Sequence, residues 1–225
     1  MNKLSKICAM LIVLILLMSA AFGVVTKNSY KEFEEDVALV DKLIIENSES
    51  WIKHIEGKKV KKQLKKLGYI FLVTATSSER VFRGTKTILN VERVIKGDIN
   101  YSEKTIALYE SAFTNYSKVT EVFLFRSMNN LSIGMQPGRR YLVFADKVEY
   151  AQEYKETLPY DEFIVDWDYY MYYFPIDSQI KPIEPKDNLT YGDIKNFDYI
   201  CFNEKDADKL ERIKNSVLDE YLNEE

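Results

Sequence analysis

The chain has 225 residues, of which 46% are hydrophobic, and a formal net charge of -4 at pH 7. This length accommodates one domain with extensions or two small domains, and the hydrophobic fraction supplies a core. The acidic balance argues against a dedicated nucleic-acid binder, and an aromatic content of 13% favours a sheet-rich fold over a helical bundle.

Residues 1–25 form the clearest local signal, a signal peptide or a membrane anchor. Lys3 and Lys6 precede an uncharged, mostly apolar run from Cys8 to Val25. At about 18 residues this run lies between a signal-peptide core and a full membrane span, so both interpretations stay open. In either case residues 7–25 enter the membrane, the lysines stay in the cytoplasm, and the rest of the chain is exported.

Cysteine usage indicates the compartment. Cys8 and Cys201 are the only cysteines, and Cys8 belongs to the leader, so the exported part has no internal disulfide. Small secreted animal domains usually carry several disulfides. Together with the many Lys, Ile, Asn and Tyr residues, this predicts a bacterial cell-surface protein.

Residues 26–68 are predicted to form a helical N-terminal segment. Its apolar residues recur at helical spacing, and they are Phe33, Val37, Val40, Ile44, Trp51 and Ile55. Gly57 is expected to end this helix. The stretch KKVKKQLKKLG follows, with Val60, Leu64 and Leu67 on one side. Such a basic amphipathic turn either contacts anionic lipids or wall polymers, or presents an ordinary solvated face.

From residue 69 the pattern changes to β-strands. Strands are predicted at 69–78, 85–98 (which runs into a turn), 104–110 and 139–146. Because Val94 falls out of step with Leu89 and Val91, we expect a β-bulge near Glu92–Arg93, and Gly97 permits the turn that follows. The core is expected to include Leu89, Val91, Leu108 and Phe144. Successive strands without a helical period predict a barrel or a sandwich.

Two motifs in this region carry a family resemblance. Val91, Val94, Lys96, Gly97 and Asp98 form a V-x-x-V-x-K-G-D turn, and Gly138, Tyr141, Leu142, Val143 and Phe144 form a later strand. Followed by an aromatic strand ending in YYFPID, this order resembles the netrin-like superfamily, which includes the tissue inhibitors of metalloproteinases and uncharacterised bacterial surface proteins. The resemblance implies a five-stranded OB-like barrel over residues 69–177, in a mainly β (α+β) fold flanked by N-terminal and C-terminal helices.

The C-terminal segment, residues 178–225, is predicted to end in a helix. Asn203 is a suitable N-cap for it. The apolar stripe of this helix contains Leu210, Ile213, Val217, Leu218 and Tyr221. It is expected to pack either on the N-terminal helical segment or on the barrel.

The stretch LPYDEFIVDWDYYMYYFPID, residues 158–177, is the candidate ligand surface. The residues proposed to form it are Asp161, Glu162, Asp166, Trp167, Asp168, Tyr170 and Tyr172. Acidic and aromatic side chains suit a sugar or a peptide. Calcium held by Asp161, Asp166 and Asp168 is a weaker alternative because calcium loops supply glycine and more oxygens. A barrel strand with a half-buried aromatic face is the structural alternative.

The chain offers no catalytic constellation, so we expect no catalytic residue, no cofactor and no metal. His54 is the only histidine, Cys201 lacks a nearby histidine base, and no phosphate-binding glycine loop occurs. The predicted function is therefore non-catalytic binding of a protein or a cell-wall glycan. One alternative is a secreted hydrolase with a carboxylate pair such as Glu162 and Asp166. The other is an inhibitor or immunity protein for a secreted protease.

Overall fold

A computed structural model describes residues 12–16, 18–23, 41–45, 52–81, 84–110, 112–117, 122–127, 131–150, 158–165 and 169–223. The chain divides into two compact units, Met1–Val40 and Asp41–Glu225. In the first unit, residues 12–16 and 18–23 are helical. Within the described ranges, no helix combines the length and the apolar character needed to cross a membrane.

The second unit consists of strands with short helices around them. The strands are β1 (Ile44–Ile45), β2 (Tyr69–Val81), β3 (Gly84–Lys96), β4 (Thr105–Glu110), β5 (Ala112–Ser117), β6 (Val122–Ser127), β7 (Arg140–Lys147), β8 (Asp161–Ile164) and β9 (Tyr173–Pro175). The helices are α1 (Gly57–Leu64), α2 (Tyr191–Ile194) and α3 (Glu204–Leu222), and a 3-10 turn covers Ile99–Tyr101. The predicted strands of residues 69–110 and 139–146 are therefore present.

The larger sheet closes on itself. Its strand order is β2-β3-β4-β8-β7-β9, and β2 also pairs with β7, so that β2, β3, β4, β8 and β7 form a ring. Within this ring only β4 and β8 run parallel. The strands are uneven, with 13 residues in β2 and 4 in β8. A smaller sheet has the order β1-β6-β5. The chain is thus a β-rich α+β fold.

The β-bulge predicted near Glu92–Arg93 is confirmed. Leu72 pairs with Arg93 and Val73 pairs with Val91, so the residue between them in β3, Glu92, is extra. The extra residue shifts the inward and outward alternation of side chains in β3 by one position after Val91. Glu92 itself points outward, where its carboxylate accepts two hydrogen bonds from Nε and one from Nη2 of Arg140, at 2.8–3.1 Å.

The K-G-D turn after β3 has a structural role for each of its three residues. Gly97 has a φ of 111°, and a Cβ atom there would lie 2.3 Å from the ring of Tyr69, so only glycine fits. The ammonium of Lys96 donates to the carbonyl of Leu67 at 2.6 Å, just beyond the C-terminus of α1. The Asp98 carboxylate accepts from the backbone N–H of Asn100 at 2.9 Å and caps the 3-10 turn.

The ring encloses an apolar core. Leu89, Val91, Leu108 and Phe144 are all buried, which confirms the prediction for these residues. At one end of the core four aromatic rings pack with centroid separations of 5.1–6.1 Å, and they belong to Tyr69, Phe71, Tyr101 and Phe163. Tyr69 and Phe71 are stacked and the other pairs are edge-to-face, and both geometries stabilise the core beyond the area that the rings bury.

The prediction of a helix through Ile44 is wrong. Residues 41–43 form a turn and loop, and Ile44–Ile45 is strand β1, which pairs with Leu124–Phe125 of β6. The backbone N–H of Ile45 donates to the carbonyl of Leu189 at 2.8 Å. These tertiary partners outweigh the helical spacing of the apolar residues. The stripe residues Phe33, Val37, Val40 and Trp51 lie outside the described residues.

Gly57 begins α1 rather than ending a helix. A Cβ atom at Gly57 would lie 3.4 Å from the side chain of Ile213, so the start of α1 packs next to α3. Val60, Leu64 and Leu67 are buried, as the sequence predicts for the apolar side of this lysine-rich stretch.

The C-terminal helix and its cap are confirmed. Asn203 Oδ1 accepts from the backbone N–H of Asp206 at 2.9 Å. Glu220 forms ion pairs with Lys61 of α1 and with Lys65, the residue after α1, at 2.9 and 3.0 Å. In the predicted stripe Leu210, Ile213 and Val217 are buried, and Leu218 and Tyr221 are partly buried. The ring of Tyr221 packs against Phe144 of β7. The helix therefore packs on both α1 and the sheet.

Candidate functional site

The acidic and aromatic segment 158–177 is not one strand. Asp161–Ile164 is β8, Tyr173–Pro175 is β9, and residues 169–172 form a loop between them. The single-strand interpretation is therefore wrong for residues 169–172. Asp166, Trp167 and Asp168 lie outside the described residues, and with them two of the three carboxylates proposed for calcium.

Asp161 is exposed. Its carboxylate pairs with the ammonium of Lys147 at 2.9 Å. Lys147 also donates to the hydroxyl of Tyr101 and lies over the Tyr101 ring, 4.9 Å from its centroid. Burial lowers the pKa of Lys147, but its hydrogen bonds to Tyr101 and Asp161 outweigh burial and raise the pKa above the usual value. Asp161 thus has a cationic partner within the protein.

Glu162, in contrast, is buried, with only 6% of its surface exposed. The hydroxyl of Tyr109 donates to Oε1 at 2.9 Å, and the hydroxyl of Tyr150 donates to Oε2. Burial, followed by the hydrogen bond to Glu162, raises the pKa of Tyr109 well above its usual value. The same carboxylate, followed by burial, raises the pKa of Tyr150 to about 12. The two phenols therefore stay protonated at neutral pH and hold the carboxylate as an acceptor.

Residues of three neighbouring strands continue the surface around Glu162. Lys86 of β3 is opposite Tyr109 of β4, and Tyr109 is opposite Ile164 of β8. The ammonium of Lys86 lies 5.9 Å from the centroid of the Tyr109 ring. The side chain of Ile164 is 47% exposed. We call Lys86, Tyr109, Tyr150, Glu162 and Ile164 the outer-face site.

The outer-face site has the components of a binding surface. It contains an aromatic ring, an exposed aliphatic side chain, an ammonium and a carboxylate. The sequence alone indicated Glu162 but missed Lys86, Tyr109 and Tyr150. Lys86 and Tyr109 alternate with buried neighbours in their strands, yet only the register of β3, β4 and β8 brings them next to Glu162.

Tyr172 is separate from this surface, because only 1% of it is exposed. Its hydroxyl donates to Oε2 of the buried Glu110 at 2.8 Å, and Thr87 donates to Oε1 at 2.5 Å. Burial and then the charge of Glu110 raise the pKa of Tyr172 well above its usual value. Tyr172 therefore belongs to an internal hydrogen-bond network, and its inclusion in an exposed ligand surface is wrong.

Tyr170 is half-buried and lies under α1. The ammonium of Lys59 sits 5.5 Å from the centroid of its ring. Of the seven candidate residues, the structure thus places Asp161 at a surface ion pair, Glu162 at the outer-face site, Tyr170 near α1 and Tyr172 inside. The described part of the chain contains no group of three or more His, Cys, Asp or Glu side chains able to hold a metal ion.

Comparisons with known proteins do not assign the chain to a family. No protein-family model matches the sequence, and a search of curated proteins finds no match either.

Proposed function

We propose that the chain is an exported, non-catalytic binding protein built on an OB-type barrel of the netrin-like kind. The order of the ring supports this proposal. An OB barrel is a five-stranded Greek-key ring, in which the third strand lies beside the fifth and the fourth closes on the first. With β2, β3, β4, β7 and β8 as the first to fifth strands, the pairings β4–β8 and β2–β7 correspond to that order.

The position of the outer-face site carries the functional proposal. OB barrels bind oligosaccharides and oligonucleotides on the face of their second and third strands, between the loop joining strands one and two and the loop joining strands four and five. Here those strands are β3 and β4, which supply Lys86 and Tyr109. Tyr150 lies in the connection between β7 and β8.

A saccharide is the ligand class that these groups favour. The Tyr109 ring offers an apolar face for a sugar ring, and the ammonium of Lys86 can donate to its hydroxyl groups. Both oxygens of the buried Glu162 accept from Tyr109 and Tyr150, so Glu162 positions these two phenols and does not itself bind the sugar. The acidic net charge argues against nucleic acid, which is the other usual OB ligand. Because the leader is basic and then apolar, we propose that the protein lies at a bacterial surface, either anchored through residues 7–25 or secreted. The proposed ligand is a cell-wall glycan.

The test is calorimetric titration of the full chain, in detergent, with soluble peptidoglycan fragments. Tyr109→Ala should weaken binding by about tenfold or more, since truncating an aromatic residue at the centre of a binding site typically costs on the order of 2 kcal/mol. Tyr170→Ala is the matched control and should leave binding unchanged. Loss of binding in Tyr170→Ala but not in Tyr109→Ala would move the site to residues 169–172.

The two alternatives give different results in the same preparation. A hydrolase with Glu162 and Asp166 as its carboxylate pair would release new reducing ends from the fragments. An inhibitor of a secreted protease would bind no fragment and would instead suppress proteolysis. Stable retention of the fragments without turnover supports the binding protein.

Export is tested separately on intact, wall-stripped cells. Added protease should degrade residues 26–225, because the lysines before the apolar run keep only the N-terminus inside. Digestion that requires cell lysis would overturn the proposed location.

A further inference from the structure

A cleft that shares no residue with the outer-face site lies elsewhere in the second unit. It has a volume of about 500 Å³ and is formed by the residue before β7, by residues 177–181 after β9, and by residues 196–199 before α3. This volume is in the range of small-ligand pockets.

The floor of the cleft is a fully partnered carboxylate. Asp198 is 6% exposed, and its Oδ1 accepts from the hydroxyl of Tyr141 at 3.0 Å. Its Oδ2 accepts from Nη1 of Arg139 at 3.2 Å and from the hydroxyl of Ser178 at 3.3 Å. Because both oxygens have protein donors, Asp198 positions Arg139 and is not left to bind a ligand.

Donor groups are in surplus above this floor. A guanidinium has five N–H donors, and in Arg139 the described residues engage only one nitrogen, Nη1, while the side chain is 42% exposed. Lys181 also lines the cleft and has no ion pair within the described part of the chain. Asp177 is the one further acid in the lining. The charges of the lining balance, with two cations and two acids, so an anion would bind through the free N–H donors of Arg139 and Lys181 and not through a net positive charge.

Part of the wall is apolar, and the segment that carries Ile180 is fixed to α3. Ile180 and Phe197 line the cleft. The buried ammonium of Lys214 in α3 donates to the carbonyl of Ser178 at 2.6 Å. Glu211 of the same helix accepts from the backbone N–H of Ile180 at 2.9 Å. Segment 177–181 is thus fixed to α3, and a preformed wall loses little entropy on binding.

We propose that this cleft binds the C-terminal carboxylate of a peptide whose last residue is apolar. Arg139 matches a carboxylate because its planar donors form paired hydrogen bonds, and Lys181 adds a second positive charge. Ile180 and Phe197 contact the apolar side chain. Asp177 accepts from a backbone N–H of the peptide. The cleft is a second binding site, for a different ligand class from the saccharide proposed at the outer face.

The experiment titrates the full chain, in detergent, with two probes that differ only at the terminal group. N-acetyl-alanyl-leucine carries the carboxylate, and N-acetyl-alanyl-leucinamide lacks it. The carboxylate probe should bind at least about tenfold more tightly, which is the order of effect for a hydrogen bond between charged groups. Equal binding of the two probes, or no binding of the carboxylate probe up to about 10 mM, would overturn the proposal.

Two neighbouring arginines provide the matched control. Arg139→Gln should weaken binding of the carboxylate probe by about tenfold or more. Arg140→Gln should leave this binding unchanged, because Arg140 pairs with Glu92 outside the cleft lining. Lys181→Glu covers the case in which Arg139→Gln fails to fold, since Lys181 is exposed, and it should also weaken binding. A Lys181→Glu protein with unchanged affinity refutes the proposal. Tyr109→Ala should leave this affinity intact, which separates the cleft from the saccharide site.

Discussion

The turn at residues 91–98 and the acidic and aromatic segment at residues 158–177 both attract notice in the sequence, but the structure uses them differently. In the turn, Asp98 caps Asn100 two residues away. In the segment, one phenol partner of Glu162, Tyr109, is 53 residues away and the acid partner of Tyr172 is 62 residues away. A role set by backbone geometry can be read locally, whereas the environment of a polar side chain depends on which strands become neighbours.

The burial of Glu162 and Tyr172 also shows that polarity does not by itself predict exposure. A buried polar group is stable when its hydrogen bonds are made inside the protein. Both residues meet that condition, through Tyr109 and Tyr150 for Glu162 and through Glu110 for Tyr172. The segment therefore contributes more to the interior and less to the surface than its composition indicates.

The largest expected effect lies in the turn, at Gly97. In Gly97→Ala the new Cβ would meet the Tyr69 ring at 2.3 Å, and φ stays at 111°. The Tyr69 ring cannot move easily because it packs against Phe71 and Phe163. We expect a loss of about 2–4 kcal/mol in the free energy of unfolding, from overpacking and backbone strain together. Guanidinium unfolding of the purified protein measures it.

Gly138→Ala is the control for the strain alone. Gly138 has a φ of 82°, but a Cβ atom there would have no neighbour within 4 Å. Gly138→Ala should therefore lose about 1–2 kcal/mol in the free energy of unfolding. If Gly97→Ala and Gly138→Ala lose the same free energy of unfolding, the contact of residue 97 with Tyr69 does not contribute, and packing does not explain the glycine in the turn.

The second effect tests the internal network of the segment. Tyr172→Phe removes one donor from the buried Glu110, and a buried acceptor that loses its partner destabilises a protein by about 1–3 kcal/mol. The control is Tyr170→Phe, since Tyr170 interacts with Lys59 through its ring, which phenylalanine keeps. Similar midpoints of unfolding for the two variants would contradict the assignment of Tyr172 to the interior.

The sequence predicted those features that depend on a short repeat or on one residue type. Alternation predicted the strands and the core residues Leu108 and Phe144, a break in alternation predicted the bulge, and Asn203 predicted the cap of α3. It misassigned Ile44–Ile45, which has the spacing of a helix but pairs with β6. Strand pairing between distant segments leaves no mark on the periodicity of either one.

The candidate site was predictable only in part, for the same reason. Glu162 stands out in an acidic and aromatic stretch, but its phenol donors come from β4 and from the connection after β7. Arg139 and Asp198 are 59 residues apart and form one cleft only after the chain returns beside β7. Neither residue belongs to a motif that could have indicated a site.

The smallest expected effect on stability is at the bulge, where Glu92 contacts Arg140 of the distant strand β7. Hydrogen bonding from Arg140 lowers the pKa of Glu92 from 4.5, against a smaller opposing effect of burial. The ionised carboxylate therefore stabilises the folded state above the unfolded pKa, and this contribution disappears as the pH falls through the lower folded pKa. Because the pair is partly exposed, Glu92→Gln should lose only about 0.5–1 kcal/mol at pH 7.

The measurement compares unfolding of the native protein and Glu92→Gln at several pH values between neutral and acid. The difference in stability should stay constant down to about pH 4.5 and shrink below it, and added salt should reduce it at pH 7. Glu184→Gln, at an exposed position, serves as the control and should change stability by less than about 0.5 kcal/mol at every pH. If the difference in stability between the native protein and Glu92→Gln is the same at acid and neutral pH, Glu92 contributes to stability through packing and not through its charge. In that case the ion pair with Arg140 of β7 does not stabilise the turn at residues 91–98, and local geometry alone determines its conformation.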